Sequence, residues 1–267
     1  MQTTTHTPAG QTASLAGKRV ALARGAEEAH TPAEALHALG AELVFYPVLE
    51  RLPPADLSAL DQALDQALAG HYTWLLLPSA SAVLALAERL DLRQIAPARL
   101  TQALRLALFG TTTHLAAQAA LGVAPLPDAA SHAELARWMQ PQPDERVLLL
   151  QAAGARSDWA HLLAPAPVVS VAAYRAQMGQ GGDALPALLW AGVVDAVVFT
   201  SEANVRYFAR RLAAEGGSLA MLDHVCVACL EPPTAQAAQA LGLRVQVVPA
   251  EHSPHALALA LARCLAE

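Results

Sequence analysis

The chain has 267 residues, 54% of them hydrophobic and 15% charged, with a formal net charge of −6. So low a charged fraction excludes a disordered polar chain, and a net-negative surface excludes general binding to nucleic acid or to an anionic membrane. The length suits one large domain or two smaller ones, each able to bury a core, and no apolar run reaches the roughly 20 residues of a membrane span.

Residues 1–17 are rich in Thr, Gln, Ala and Gly, with no basic start and no apolar stretch. They predict a flexible tail rather than an export signal, and so a cytoplasmic protein. Next comes a strand at 20–23, a turn at Arg24-Gly25, a helix over 32–39 ended by Gly40, and a strand over 42–49. The segment 46–52 can continue as a strand between lobes, and 56–69 has a helical pattern. An apolar run at 73–77 leads through Pro78-Ser79-Ala80-Ser81 into a helix over 82–90. A strand at 106–109 then enters Gly110-Thr111-Thr112-Thr113 and a helix over 114–120, closed by Gly122. Ser131 and Glu134 have the spacing of a capping box.

From there the plan repeats. Strand 147–150, turn 151–154, helix 157–163 and strand 168–173 restate the first block, with Tyr174 at the point that Tyr46 holds there. The segment 171–177 is a second candidate linking strand, and 179–182 a flexible corner. The second block returns as strand 196–199, Thr200-Ser201-Glu202-Ala203 and helix 204–212. It continues as strand 225–230, Glu231-Pro232-Pro233-Thr234 and helix 235–240, with Ser253 capping a last helix. Short apolar strands alternating with helices predict parallel sheets covered on both faces, most simply two flavodoxin-like α/β lobes. Two pairings are open: consecutive blocks, or outer with outer and inner with inner.

Ligands of open α/β sheets collect where strands end and helices begin. Arg24, Ser79, Ser81, Thr111, Thr112, Thr113, Arg156, Thr200, Ser201 and Thr234 all fall at such ends. Any single hydroxyl among them is explained as a helix N-cap. Taken together they outline a cleft in which helix N-termini offer amide N–H groups to an anion. Other motifs carry less. Cys226 and Cys229 lie three apart in one apolar run, on opposite faces of a strand, and read as buried structural thiols. His252 and His255 have no acidic third ligand nearby, and Trp74, Trp138, Trp159 and Trp190 are scattered, as packing residues are. No H-E-x-x-H, G-x-S-x-G or Walker loop occurs, so nothing implies a metal, nucleotide or flavin.

Several short motifs, in this order and spacing, resemble the uroporphyrinogen-III synthase family. They are Arg24 after the first strand, Phe45-Tyr-Pro-Val48, Gly154-x-Arg156 before a helix, Val171-Ala-Ala-Tyr-Arg175, Asp195-Ala-Val-Val-Phe-Thr-Ser201 and Pro233-Thr234-Ala235 leading to Gly242. The resemblance implies two flavodoxin-like lobes joined by a two-stranded β linker. Residues 18–48 with 177–267 would form lobe one and 49–176 lobe two. It also implies a cofactor-independent lyase that closes hydroxymethylbilane to uroporphyrinogen III with inversion of ring D and loss of water. The partner is then a linear tetrapyrrole polycarboxylate and the protein a monomer. Tyr174 matches a tyrosine proposed to assist departure of the hydroxyl, and the intact loop Gly110–Thr113 joins the substrate-binding set. The alternative is a non-catalytic tetrapyrrole-binding module on the same scaffold. One departure favours that alternative: Glu231-Pro232 replaces the family's glycine, setting a carboxylate against a polyanion and removing N–H donors.

Overall fold

The computed structural model describes residues 13–25, 30–124, 126, 127, 129 and 131–266; the expected tail at 1–17 lies mostly outside them. The chain opens with β1 (Arg19–Leu22), α1 (His30–Ala38), β2 (Glu42–Phe45), β3 (Leu49–Leu52) and α2 (Ser58–Leu68). It continues through β4 (Trp74–Leu77), α3 (Ala80–Leu92), α4 (Pro97–Ala103), β5 (Arg105–Leu108), α5 (Thr111–Leu121) and α6 (His132–Met139). Then come β6 (Val147–Ala152), α7 (Trp159–Leu162), β7 (Val168–Met178), α8 (Leu185–Trp190), β8 (Ala196–Phe199) and α9 (Glu202–Ala214). A 3₁₀ turn (Leu219–Leu222), β9 (Cys226–Cys229), α10 (Pro232–Ala240) and α11 (Pro254–Cys264) complete it.

Two sheets organise these elements. The outer lobe holds the parallel order β2-β1-β8-β9, drawn from both ends of the chain. The inner lobe holds β3-β7-β6-β4-β5, parallel except where β3 meets β7. β4, β8 and β9 are buried at every position, because helices cover both faces of a parallel sheet. In the outer lobe Val197, Phe199, Val227 and Cys229 pack against Val205, Phe208 and Leu212 of α9. Ala196, Val198, Cys226 and Ala228 pack on the other side with Leu257 and Leu261 of α11. Cys226 and Cys229 thus serve opposite cores, and burial pushes both thiols up to about 12. Sequence spacing missed Cys264, whose Sγ lies 3.6 Å from that of Cys226.

The linker differs from expectation. The first linking strand breaks at Tyr46-Pro47-Val48, whereas the second runs unbroken as β7. Pro47 has no N–H for a ladder, and the neighbouring groups bond across the linker instead. Phe45 N–H donates to Asp183 Oδ2 at 2.6 Å, Asp183 N–H to Phe45 O at 2.8 Å, and Gly179 N–H to Val48 O at 3.0 Å. The corner at 179–182 is therefore tightly packed rather than loose. A Cβ on Gly179 or Gly182 would collide with the Pro47 or Phe45 carbonyl, and Gly182 has a φ of +75°. Helices α4 and α8 and the 3₁₀ turn were not expected, since each is too short to show a full apolar period. Trp190, expected to pack, is 83% exposed, because the brief helix α8 ends on its outward side.

Arg211 of α9 clamps this crossing. Its guanidinium donates to Gly181 O at 2.7 Å, to Pro47 O, and to Glu215 Oε1 at 2.8 Å, and lies 3.9 Å over the Tyr46 ring. Tyr46 donates its hydroxyl to Glu215 Oε2 at 2.8 Å. Burial and the Glu215 carboxylate hold that phenol far above its usual range. Replacing Arg211 with Met leaves two backbone carbonyls and part of a carboxylate without their donor. The expected loss is about 3 kcal/mol of unfolding free energy, read as a lower urea midpoint; an unmoved midpoint would mean that the clamp contributes nothing.

Candidate functional site

In the inner lobe the geometry centres on Tyr174. β6 and β7 stay in register to Gln151 opposite Ala172, and then Ala152 pairs with Tyr174, so Ala173 is an extra residue. Alternation along a strand would turn one of two adjacent side chains outward; this bulge buries both Ala173 and Tyr174. Bulges re-aim side chains in this way, often beside active sites. The Tyr174 hydroxyl lies 3.2 Å from Ser79 Oγ. Ser79 is the N-cap of α3, and its Oγ accepts the Ala82 N–H at 3.2 Å. A cavity of about 60 Å³ between Pro53, Leu57, Ala85 and Tyr174 is much smaller than sites for sizeable ligands. A shallow groove of about 640 Å³ over α2 presents Asp61 and Asp65, the wrong sign for an anion.

The outer lobe gathers its polar loops on Asn204, a residue that sequence reasoning missed. Its Oδ1 accepts from Ser201 Oγ at 2.7 Å, Thr200 Oγ1 at 3.1 Å and Arg24 Nε at 3.4 Å. Its Nδ2 donates to Ala23 O at 3.1 Å. One buried amide thereby ties the loop after β1 to the loop after β8. The available signal was Asn204 three residues after the Ser201 cap, the position from which a capping-box side chain reaches back.

The remaining candidates fall into distinct places. Thr113 and Thr234 are buried, and the Thr234 hydroxyl has no partner. Thr200 is buried on Asn204, so all three residues are enclosed, backbone as well as side chain. Thr112 and Ser81 are half-buried in the first turns of α5 and α3. Arg156 is exposed in the loop after β6. Gly110 is the N-cap of α5 with a φ of +89°. Its carbonyl accepts from the Thr113 N–H at 3.0 Å and from His114 Nδ1–H at 3.0 Å. Thr111 N–H donates across the lobes to Glu231 Oε2 at 3.0 Å. The loop expected to repel an anion has therefore put its own carboxylate on the opposite helix. Among the described residues no three His, Cys, Asp or Glu side chains are placed to hold a metal ion, and no helix is long and apolar enough to cross a membrane.

A family model described as Uroporphyrinogen-III synthase HemD matches residues 31–258. A Uroporphyrinogen-III synthase of Synechococcus elongatus is 31% identical over 254 residues, spanning 92% of this chain and 95% of that relative. Among solved structures, a mutant Uroporphyrinogen III Synthase from Thermus thermophilus is similar with a TM-score of 0.59 at 18% identity, over 93% of this chain and 99% of that one. At that identity the likeness speaks for the fold alone.

Asn204→Ala tests the organising role of the buried amide. It leaves the Thr200 hydroxyl and the Ala23 carbonyl without their partner, and a loss of about 2 kcal/mol follows from such stranded groups. Denaturant unfolding measures it, with Ser201→Ala, which removes one cap, expected to cost about 1 kcal/mol. Equal costs would deny Asn204 its wider role.

Proposed function

The chain belongs to the uroporphyrinogen-III synthase family, and we infer from that membership that it closes hydroxymethylbilane to uroporphyrinogen III. Ring D is inverted and water is released, which makes the protein a lyase of tetrapyrrole and porphyrin synthesis. The observation that carries this reading is a similarity running through almost the whole chain and almost the whole of the Synechococcus relative. We further propose a monomeric cytoplasmic enzyme with lobe boundaries at 48/49 and 176/177. The membership of β1, β2, β8 and β9 in one sheet and β3 to β7 in the other supports the division near 48/49, while β7 runs on to Met178, two residues past 176/177.

The site chemistry proposed for this chain starts at Tyr174. Ser79 Oγ already accepts an amide N–H from the first turn of α3, so its own proton is free to point at Tyr174 Oη. The phenol proton is then left for the departing hydroxyl of the substrate, as general acid catalysis requires. Loss of that hydroxyl as water leaves an azafulvene-type cation on the substrate, and the ends of this flexible molecule must be held close for ring closure. The substrate's carboxylates would be held where α3, α5 and α9 begin, at Ser79, Gly110, Thr111, Thr112 and Ser201, with the enclosed Thr113 and Thr200 shaping those turns. Arg24 and Arg156 add positive charge. Thr234, wholly enclosed in the first turn of α10, would support that loop rather than meet the substrate directly. Glu231, seated on the Thr111 amide of α5, favours the second reading of a tetrapyrrole-binding module without turnover.

The test is production of the type III isomer when the purified protein is coupled to hydroxymethylbilane supply. Type III product above the spontaneous type I ring is expected; type I alone, with tetrapyrrole bound, selects the module. Tyr174→Phe keeps the ring but removes the proton, and a fall in kcat of at least about tenfold is expected from loss of a general acid. An unchanged kcat would remove Tyr174 from the chemistry.

A further inference from the structure

The helices of this protein differ in how they are capped. α3, α6, α9 and α11 each start on a serine whose hydroxyl accepts a first-turn amide. α5 starts on Gly110, which has no side chain to do so. α10 starts on Glu231, whose carboxylate does not cap its own helix; the next two positions are prolines with no N–H to cap. The Glu231 carboxylate and the start of α5 meet. Glu231 Oε2 takes the Thr111 amide at 3.0 Å, and Oε1 lies 3.1 Å from where a Gly110 Cβ would stand. Glu231 is only 8% exposed, and 120 residues separate it from its donor.

A carboxylate seated on first-turn amides is what such a helix end attracts. This one comes from the facing lobe, so it does two things at once. It fills a place of the right chemistry for a carboxylate of a polyanion, and it bridges the inner lobe to the outer. We propose that Glu231 is a tethered competitor: in the ligand-free protein it holds α5 and the lobes together, and an incoming substrate carboxylate must displace it. The displacement half of this proposal rests on the reading of the chain as an enzyme for a polycarboxylate. The latch half rests only on the contact itself. A side chain on the same molecule presents itself at high effective concentration, so the contact lowers apparent affinity while keeping the empty cleft closed.

Hydrogen exchange at the Thr111 amide reads the latch without any substrate, since a first-turn amide has no intrahelical acceptor. In Glu231→Ala that amide is expected to exchange about tenfold faster than in the parent protein, with Glu231→Gln in between and serving as the variant least disturbing to packing. The KM for hydroxymethylbilane should fall about tenfold in Glu231→Ala, the change that one charge-assisted contact corresponds to. Unchanged exchange at Thr111 in both variants overturns the latch. Faster exchange with a KM that stays or rises overturns the competition. A parent protein that makes no type III isomer, yet whose Thr111 exchange depends on Glu231, overturns the enzyme reading and leaves the latch standing.

Discussion

Arg211 stands under the crossing of the two linker segments, with its guanidinium almost wholly enclosed, and the arrangement of the molecule depends on what it bonds. Its side chain is 5% exposed. Burying an arginine is costly unless its donors are satisfied; here two go to backbone carbonyls, one on each linker segment, and one to Glu215. The Tyr46 ring covers its face, and the Tyr46 hydroxyl closes the circuit on the same carboxylate. α9 therefore carries both the clamp at its C-terminal end and the Ser201–Asn204 cluster at its N-terminal end. The linker and the polar loops of the outer lobe are fixed by one helix.

That rigidity answers the difficulty raised by charge. A chain of net charge −6 cannot draw in a polycarboxylate by its overall field. Binding must come from local dipoles, and helices that begin at strand ends supply them. At α3 and α9 a serine hydroxyl already takes one first-turn amide, which leaves other first-turn amides for a ligand. α5 is different because a glutamate of the other lobe has taken its amide. The same short contact bridges the two lobes and supplies the anion at that helix end.

Much of the scaffold was readable from local pattern. Buried strands such as Trp-Leu-Leu-Leu at 74–77 cannot be anything but sheet core once they end in Pro-Ser and a helical period. Serine caps at Ser79, Ser131, Ser201 and Ser253 came from residue type and spacing, and each one accepts the amide expected of it. The opposite facing of Cys226 and Cys229 followed from the two-residue repeat of a strand. Where pattern failed, the deciding contact was distant in sequence. The corner at 179–182 looks loose by composition and is tight because Pro47 and Phe45 pack against it. Trp190 looks like core by residue type and lies in solvent.

Sequence by itself determined the repeated α/β plan, the capped helix starts and, through the order of short motifs, the family. These rest on local geometry and on residue chemistry that acts within a few positions. Tertiary structure alone decided how Tyr174 is aimed, because one bulged residue in the ladder with β6 turns it inward beside Ser79. It alone gave Glu231 its partner. Read along the chain, Glu231 is a charge opposed to an anionic ligand; folded, it lies against the amide of a helix begun 120 residues earlier. No pattern along a chain encodes which helix end a side chain will meet once two lobes close, since that depends on the clamp that sets their crossing.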